Sequence, residues 1–377
     1  MEKHYIFSAP GRTEIGGNHT DHQHGCVLAA AVNLETVADV TLNGTNEILV
    51  RSEGYPVVKV DLQDLSVHEE EKNTTAALIR GVAAAFAERG ATIQGFDAAV
   101  KSTVLPGSGL SSSAAFEVLM GTICNELFFA GKLSAVEIAQ IGQQAENVYF
   151  GKPCGLMDQM ASSVGSLVFI DFENPAQPRI EKIPFDLAKA GYALCIIDSG
   201  ADHADLTDEY AAIPGEMKQV CGFFGKEVLR QIPKAAFMAA LPALRKTVTD
   251  RAILRALHIY QENDRVVRQV KALKSADMDA FLELVKESGR SSWMYLQNIT
   301  PAGAVAHQEV AVALALCEDL LMGKGAYRVH GGGFAGTVQA FVPMDMLADF
   351  CQGIEYVLGT GSCHVLNIRE NGGIRIQ

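Results

Sequence analysis

Several things are scarce or missing in this 377-residue chain, and each absence narrows its function. Basic residues are outnumbered: 31 Lys and Arg stand against 44 Asp and Glu, a net charge of −13. A protein that grips nucleic acid usually carries a basic face to neutralise phosphates, so that class is disfavoured. An anionic ligand would have to be met by a few local cations or by backbone amides. No apolar run approaches the length of a membrane span. The opening "MEKHYIFSAPG" shows no apolar segment behind a basic one, so no signal peptide is expected. No Cys-x-x-Cys pair occurs among the eight cysteines. Several sit in apolar runs, Cys195 in "YALCIID" and Cys317 in "VALALCEDLL", which predicts reduced, buried thiols and a cytoplasmic location. The single tryptophan, Trp293, is expected to pack rather than to serve as a ligand platform. Internal repeats and low-complexity linkers are absent.

What is present is a 48% hydrophobic fraction and 35 glycines, the profile of a packed α/β or α+β enzyme. The length exceeds one small core, so two domains are expected. Their boundary is placed near residue 185, where strand-rich sequence gives way to helix-rich sequence, giving 1–185 and 186–377. "ADVTL" sets Ala38, Val40 and Leu42 on one strand face, and "VVKVDL" does the same with Val58, Val60 and Leu62. A helix is predicted from Ser111, with Phe116, Leu119, Met120, Ile123 and Leu127 as its stripe. A second starts at a Ser134–Glu137 capping box, carries Ile138, Ile141, Ala145 and Val148, and ends at Gly151 and Pro153. "SLVFIDF", "YALCIIDSG" and "GTVQAFV" read as buried strands. Asp205 to about Leu320 has helical period, punctuated by Pro214, Pro233, Pro242 and Pro301.

Two stretches carry chemistry. "GRTEIGGNHTDHQHGC", Gly11 to Cys26, makes a poor core strand and a poor helix, and its polar side chains invite a metal, a sugar or a phosphate. A zinc site of His19, Asp21, His22 and His24 is one reading, without a helix such as His-Glu-x-x-His to support it. "VLPGSGLSSSAAFEV" places Pro106, Gly107, Ser108, Gly109, Leu110, Ser111, Ser112, Ser113 and Ala114 between a strand end and a helix start. Glycines let the backbone turn tightly, and a helix N-terminus offers free N–H groups to an anion. The hydroxyls of Ser111–Ser113 can add donors or a magnesium ligand. The competing reading is a serine helix cap behind a glycine turn. The loop is neither a Walker A motif nor Gly-x-Gly-x-x-Gly.

"PGSGLSSSAA" closely resembles the nucleotide-binding loop of the GHMP small-molecule kinases. "SAPGRTEIGGNHTDHQHG" is similar to the galactokinase signature of that superfamily: Gly11, Arg12, Gly17, His19 and Asp21 match, while Glu14, Gly16, Asn18 and His22 depart. "AENVYFGKPCGLMDQMAS" and "VHGGGFAGTVQAFV" resemble two further family motifs, and "RALHIYQEN" and "ESGRSSWMYLQN" are weaker likenesses. The resemblance spans nearly the whole chain. It implies an α+β fold of two domains with mixed or antiparallel sheets, the active site in the cleft between them, and ATP and Mg2+ as cofactors. It assigns Pro106–Ala114 to the ATP phosphates and Ser113 with Glu146 to the metal. It assigns Asp158 and Arg12 to catalysis, and Asn18, His19, Asp21, Gly155 and Tyr210 to the sugar.

Phosphoryl transfer asks a protein mainly for alignment, a cation over the phosphates and a carboxylate beside the accepting hydroxyl. Asp158 can accept a hydrogen bond or a proton there, and Arg12 can hold it ionised and neutralise the transferred group. The expected reaction is ATP-dependent phosphorylation of the 1-hydroxyl of galactose. Asn18 stands where the family has a glutamate facing O6, so galacturonate is an alternative substrate. A catalytically silent ATP and galactose sensor is a second alternative. No motif encodes an oligomer, and a monomer is the default. Lys152 is expected to be a surface charge. His4, His68, His203, His258, His307 and His364 are expected to be structural, and His330 is singled out because it abuts Gly331–Gly333.

Overall fold

A computed structural model describes residues 3–105, 107–201 and 206–377. The chain runs β1 (His4–Gly16), β2 (Cys26–Leu42), β3 (Glu47–Ser52), β4 (Val58–Asp61), α1 (Thr75–Glu88), β5 (Phe96–Ser102), α2 (Ser112–Phe128), α3 (Ala135–Gln144), α4 (Met157–Val164), β6 (Leu167–Asp171) and β7 (Arg179–Lys182). It continues with β8 (Tyr192–Asp198), α5 (Thr207–Phe223), α6 (Lys234–Leu244), α7 (Asp250–Lys274), α8 (Met278–Ser291), α9 (Glu309–Leu321), β9 (Ala326–Val329), β10 (Thr337–Pro343), α10 (Leu347–Leu358), β11 (Cys363–Leu366) and β12 (Ile374–Arg375).

Two sheets organise these elements. One has the order β12-β1-β2-β5-β3-β4, with β6 and β7 added beside β2; the other is β11-β8-β10-β9. All pairings are antiparallel except the parallel β3–β5 pair, so the sheets are mixed and antiparallel as expected. Helices α1, α2 and α3 pack on one face of the first sheet through Phe86, Val118, Ile123 and Ile141 against Phe7, Val40 and Val50. A second core joins Leu28, Ala30 and Val32 of β2 to Phe281 and Leu284 of α8 and Phe341 of β10, tying the two sheets together. The early part of β2 is buried on both faces, because Val27 and Ala29 meet Met160 and Ala161 of α4. No helix among the described residues is long and apolar enough to cross a membrane.

Several expectations change. The opening stretch is not a poor strand: Gly11–Gly16 forms the buried end of β1, with register shifts at Pro10/Arg12 and Glu14/Gly16. Leu42 is 43% exposed at the end of its strand. The predicted α3 stripe fails at its end, because Ala145–Phe150 winds as a π-helix. Wider winding rotates each later side chain, so Val148 turns out to solvent while Glu146 and Tyr149 turn in. Pro214 and Pro242 lie within α5 and α6 rather than between helices. Pro214 is on the exposed face of α5, where a lost backbone bond is replaced by water and the buried Ile213, Met217 and Val220 stay in line. Trp293 is half exposed at a surface groove with Lys286, Arg290 and Lys324, not packed.

Candidate active site

The serine-rich loop does not cap its helix with a side chain. Ser111, the N-cap of α2, has φ 56° and makes no side-chain capping bond, so the first-turn N–H groups of Ser112, Ser113 and Ala114 are left without an intrahelical or capping partner. Gly107 and Gly109 have φ of 74° and 68°, and a Cβ on Gly109 would lie 2.9 Å from His330 Nδ1, so only glycine fits there. Ser108 Oγ donates to the Leu105 carbonyl, and Leu110 is fully buried. Pro106 lies outside the described residues. Beside Ser112 and Ser113 a cavity of about 510 Å3 opens, walled by Tyr55, Val58, Phe116 and Phe150. Flat apolar walls next to free backbone donors suit a planar ring attached to an anionic tail.

Arg12 connects three separate stretches. The register shift in β1 before it redirects its side chain. Its backbone N–H donates to the Leu110 carbonyl at 2.9 Å, and Nη1 donates to the Gly109 carbonyl. Nε and Nη2 grip Asp158 Oδ1 and Oδ2 at 2.7 and 2.5 Å, a fork-to-fork pair. Asp158 lies in the first turn of α4, where the helix dipole favours a carboxylate, and its side chain is 31% exposed. Asp21 is close by: burial, then the Asp158 charge, pushes its carboxyl up to about 6. Gly155 exists for Asp21, since a Cβ there would sit 1.8 Å from Asp21 Oδ2.

His19 and His22 of the opening stretch are neutral hydrogen-bonding groups. Burial lowers His19 to about 3 and His22 to about 4. The Gly332 carbonyl, 3.1 Å from His19 Nε2, can only accept, which puts the His19 proton on Nε2. His22 Nε2 then donates to His19 Nδ1 at 3.3 Å, and Gln23 Nε2 donates to His22 Nδ1 at 3.2 Å. Every nitrogen of His19 and His22 is therefore engaged within the protein. Asn18 is 1% exposed. Its amide donates to the Gly331 carbonyl at 2.6 Å and to Glu14, and it accepts from Asn298 Nδ2 at 3.0 Å and Ser292 Oγ at 3.3 Å. Beneath it, Glu14 pairs with the fully buried Arg328 of β9. Glu262 accepts from the Gly17 and Asn18 N–H groups and from Ser288. Burial pushes the Glu262 carboxyl up, but Arg265 and its other charged neighbours hold it down at about 2.

Ser113 and Glu146 meet as the sequence suggested: Ser113 Oγ is 3.5 Å from Glu146 Oε1. Lys152, exposed as expected, nevertheless reaches the same oxygen at 3.5 Å. Gln159 donates to Glu146 Oε2 at 2.8 Å and to Glu117 Oε2 at 2.9 Å. Glu117 Oε1 is buried without a partner, and burial, then the Glu146 charge, raises its pKa well above the usual carboxylate range. A hydroxyl and a carboxylate beside free backbone donors match the way a magnesium ion is held, by one or two protein oxygens with the remainder from phosphates and water.

Tyr210 and His330 hold the glycine loop. The Tyr210 hydroxyl donates to the Gly333 carbonyl at 2.8 Å. The Glu14 N–H donates to His330 Nε2, His330 Nδ1 donates to Thr337 Oγ1, and Thr337 donates to the Ser108 carbonyl, which joins β1 to the serine loop. His258 is not isolated either, since its Nε2 donates to the Asn18 carbonyl at 3.0 Å. His203 lies outside the described residues. Sequence reasoning missed Glu14, His258, Glu262, Asn298 and Arg328. The signal available was the acidic residue inside a motif that otherwise resembles the family, with a buried arginine needed somewhere to answer it.

Residues 77–166 match the GHMP kinases N terminal domain, and residues 1–41 match the galactokinase galactose-binding signature. A galactokinase of Streptomyces coelicolor is 32% identical over 89% of this chain and 84% of its own. One from Glaesserella parasuis is 33% identical over 91% and 88%. A Lactococcus lactis galactokinase, solved in complex with galactose, superposes with a TM-score of 0.83 at 24% identity, covering 98% of this chain and 94% of its own. A mevalonate kinase follows at 0.69 and 12%, covering 97% and 99%. The fold is thus that of the GHMP kinases, and the chain belongs to the galactokinase family.

Proposed function

We propose that this chain is a cytoplasmic sugar kinase that moves the γ-phosphoryl group of ATP to the anomeric hydroxyl of galactose. The observation that carries this reading is the fork-to-fork Arg12–Asp158 pair, set between Asp21 on one side and the uncapped start of α2 on the other. The ATP phosphates lie on the N–H groups of Ser112–Ala114, with the adenine in the aromatic-walled cavity. Asp158 accepts the hydrogen of the 1-hydroxyl and points its oxygen at phosphorus. Arg12 neutralises charge on the transferred group while holding the Asp158 carboxyl in place by its two-point grip. Asp21 accepts from ring hydroxyls. Ser113 and Glu146 hold magnesium, which when bound neutralises the phosphate oxygens. The two expected domains, 1–185 and 186–377, would each centre on one sheet, with β12 of the second returning to the first sheet and the sugar set in the cleft between them by residues of both.

Galactose is favoured over galacturonate because Arg328, the cation in the Asn18 network, is already paired with Glu14 and leaves no free charge for a uronate. The kinase reading is favoured over a silent sensor because Arg12, Asp158, Ser113 and Ala114 are all in place. ADP release measured with galactose, galacturonate, N-acetylgalactosamine and glucose tests the proposal. Galactose is expected to give the highest kcat/KM; a higher value for galacturonate overturns the substrate, and no turnover with any sugar overturns the kinase.

A further inference from the structure

Half of the cysteines gather around the second sheet. Cys195 of β8 and Cys317 of α9 are fully buried in its apolar core, and Cys363 of β11 packs against them. Cys351 reaches the same place from α10. The sulfurs of Cys195, Cys351 and Cys363 lie within 4.8 Å of one another, and Cys351 and Cys363 are 3.5 Å apart. Cys195 of β8 is distant in sequence from Cys351 and Cys363, which lie on the consecutive elements α10 and β11, so the grouping is a product of the tertiary fold. Among the described residues, no other three cysteine, histidine, aspartate or glutamate side chains gather this closely, and this group contains thiols only.

Three sulfurs around one point are the geometry of a soft metal. An ion with metal–sulfur bonds of about 2.3 Å needs its three sulfurs roughly 4 Å apart. Here the Cys351 and Cys363 sulfurs are 3.5 Å apart and all three lie within 4.8 Å, a spacing that brackets that value. A Cys351–Cys363 disulfide would use two of the sulfurs and leave Cys195 idle, whereas an ion uses all three. Thiolates select Cu(I) and Zn(II) over hard cations. We propose that Cys195, Cys351 and Cys363 form a binding site for one soft d10 cation, Cu(I) in a trigonal set or Zn(II) completed by a water. Each ligating thiol gives its proton to solvent as the metal–sulfur bond forms. The bound ion would fasten α10 and β11 to the centre of β8.

Reduced, oxygen-free protein is incubated with Cu(I) or, separately, Zn(II), passed through a desalting column with a weak chelator, and assayed for metal. About one ion per chain is expected to remain in at least one arm, with sulfur as its main neighbour in X-ray absorption. Retention in the copper arm alone specifies the trigonal set; retention of zinc specifies the set with water. Cys351→Ser with Cys363→Ser should lose retention at least about tenfold, and Cys124→Ala should keep it. In wild-type protein, which removes any question of misfolding, the ion should also slow alkylation of Cys351 and Cys363. No retained metal in either arm, equal retention by the double variant, oxygen or nitrogen neighbours only, or unchanged alkylation would each overturn the site.

Discussion

The two ends of the cleft are built on opposite principles. At the phosphoryl end, Asp158 is partly exposed, Ser111 leaves its helix uncapped, and the donors of α2 wait for a partner. At the sugar end, Asn18, Glu14, Glu262, His258 and Arg328 are buried and almost wholly bonded to one another. The first end is poised for a ligand that brings its own charge. The second is already satisfied within the protein, so its polar groups fix one another and the backbone around them. Preorganisation is thus concentrated where shape must be read, and unsatisfied capacity where charge must be caught.

Four changes can break or sharpen this contrast. The largest effect is expected from Asp158→Ala, which should lower kcat by about 10^3-fold or more while ATP affinity changes little; a variant retaining wild-type turnover in steady-state assays would remove Asp158 from the chemistry. At the other end, Glu14→Ala should act on stability, costing about 3 kcal/mol in urea unfolding by stranding Arg328 in the interior. Pairing it with Arg328→Met should recover most of that loss, and a double variant no more stable than the single one would show that the ion pair is not the cause. Gly155→Ala should push the Asp21 carboxylate aside and raise KM for the sugar roughly tenfold, with kcat and KM for ATP little changed.

The smallest effect is on pH. Below pH 6.5 the unfolded chain takes up protons on His19 and His22 that the folded loop refuses until about pH 3 to 4. Stability must therefore fall as acid is added across that window. Asp21 works the other way, since the fold holds its proton up to about 6 and gains stability as pH falls from there towards 3.8. His22→Asn removes one of the two imidazoles and leaves Asp21, so its unfolding midpoint should drop less than wild type between pH 7 and 4.5. Equal drops would mean that His22 titrates normally in the folded loop.

Much of this was legible in the sequence because local rules applied. The Ser134–Glu137 capping box forms as read, with the Glu137 N–H donating to Ser134 and the Ser134 N–H to Glu137. The serine-loop glycines follow from a motif that encodes a turn before a helix, whereas the Ser113–Glu146 pair and the closeness of Arg12 to Asp158 were implied only by the family resemblance. The remainder was illegible for stated physical reasons. Burial of Gly11–Gly16 depends on Gln339 and Arg328, over three hundred residues away, which satisfy its polar groups. Val148 was misplaced because a π turn abandons the 3.6-residue period on which the stripe was counted. Arg328 and Glu262 carry no local pattern at all; only the fold reveals what they answer.

Strand β1, which carries Arg12, is flanked by β2 on one side and by β12 on the other, with Phe7 opposite Arg375 and Ser8 opposite Ile374. During synthesis, β2 follows β1 almost at once, but β12 is made more than three hundred residues later, so the outer edge of β1 stays open long after β2 is available. An open edge is a template for pairing with the wrong strand, in the same molecule or in its neighbour. The strand that positions the arginine is thus made well before the residues that seal its outer edge, and Ile374 and Arg375 act as its stopper.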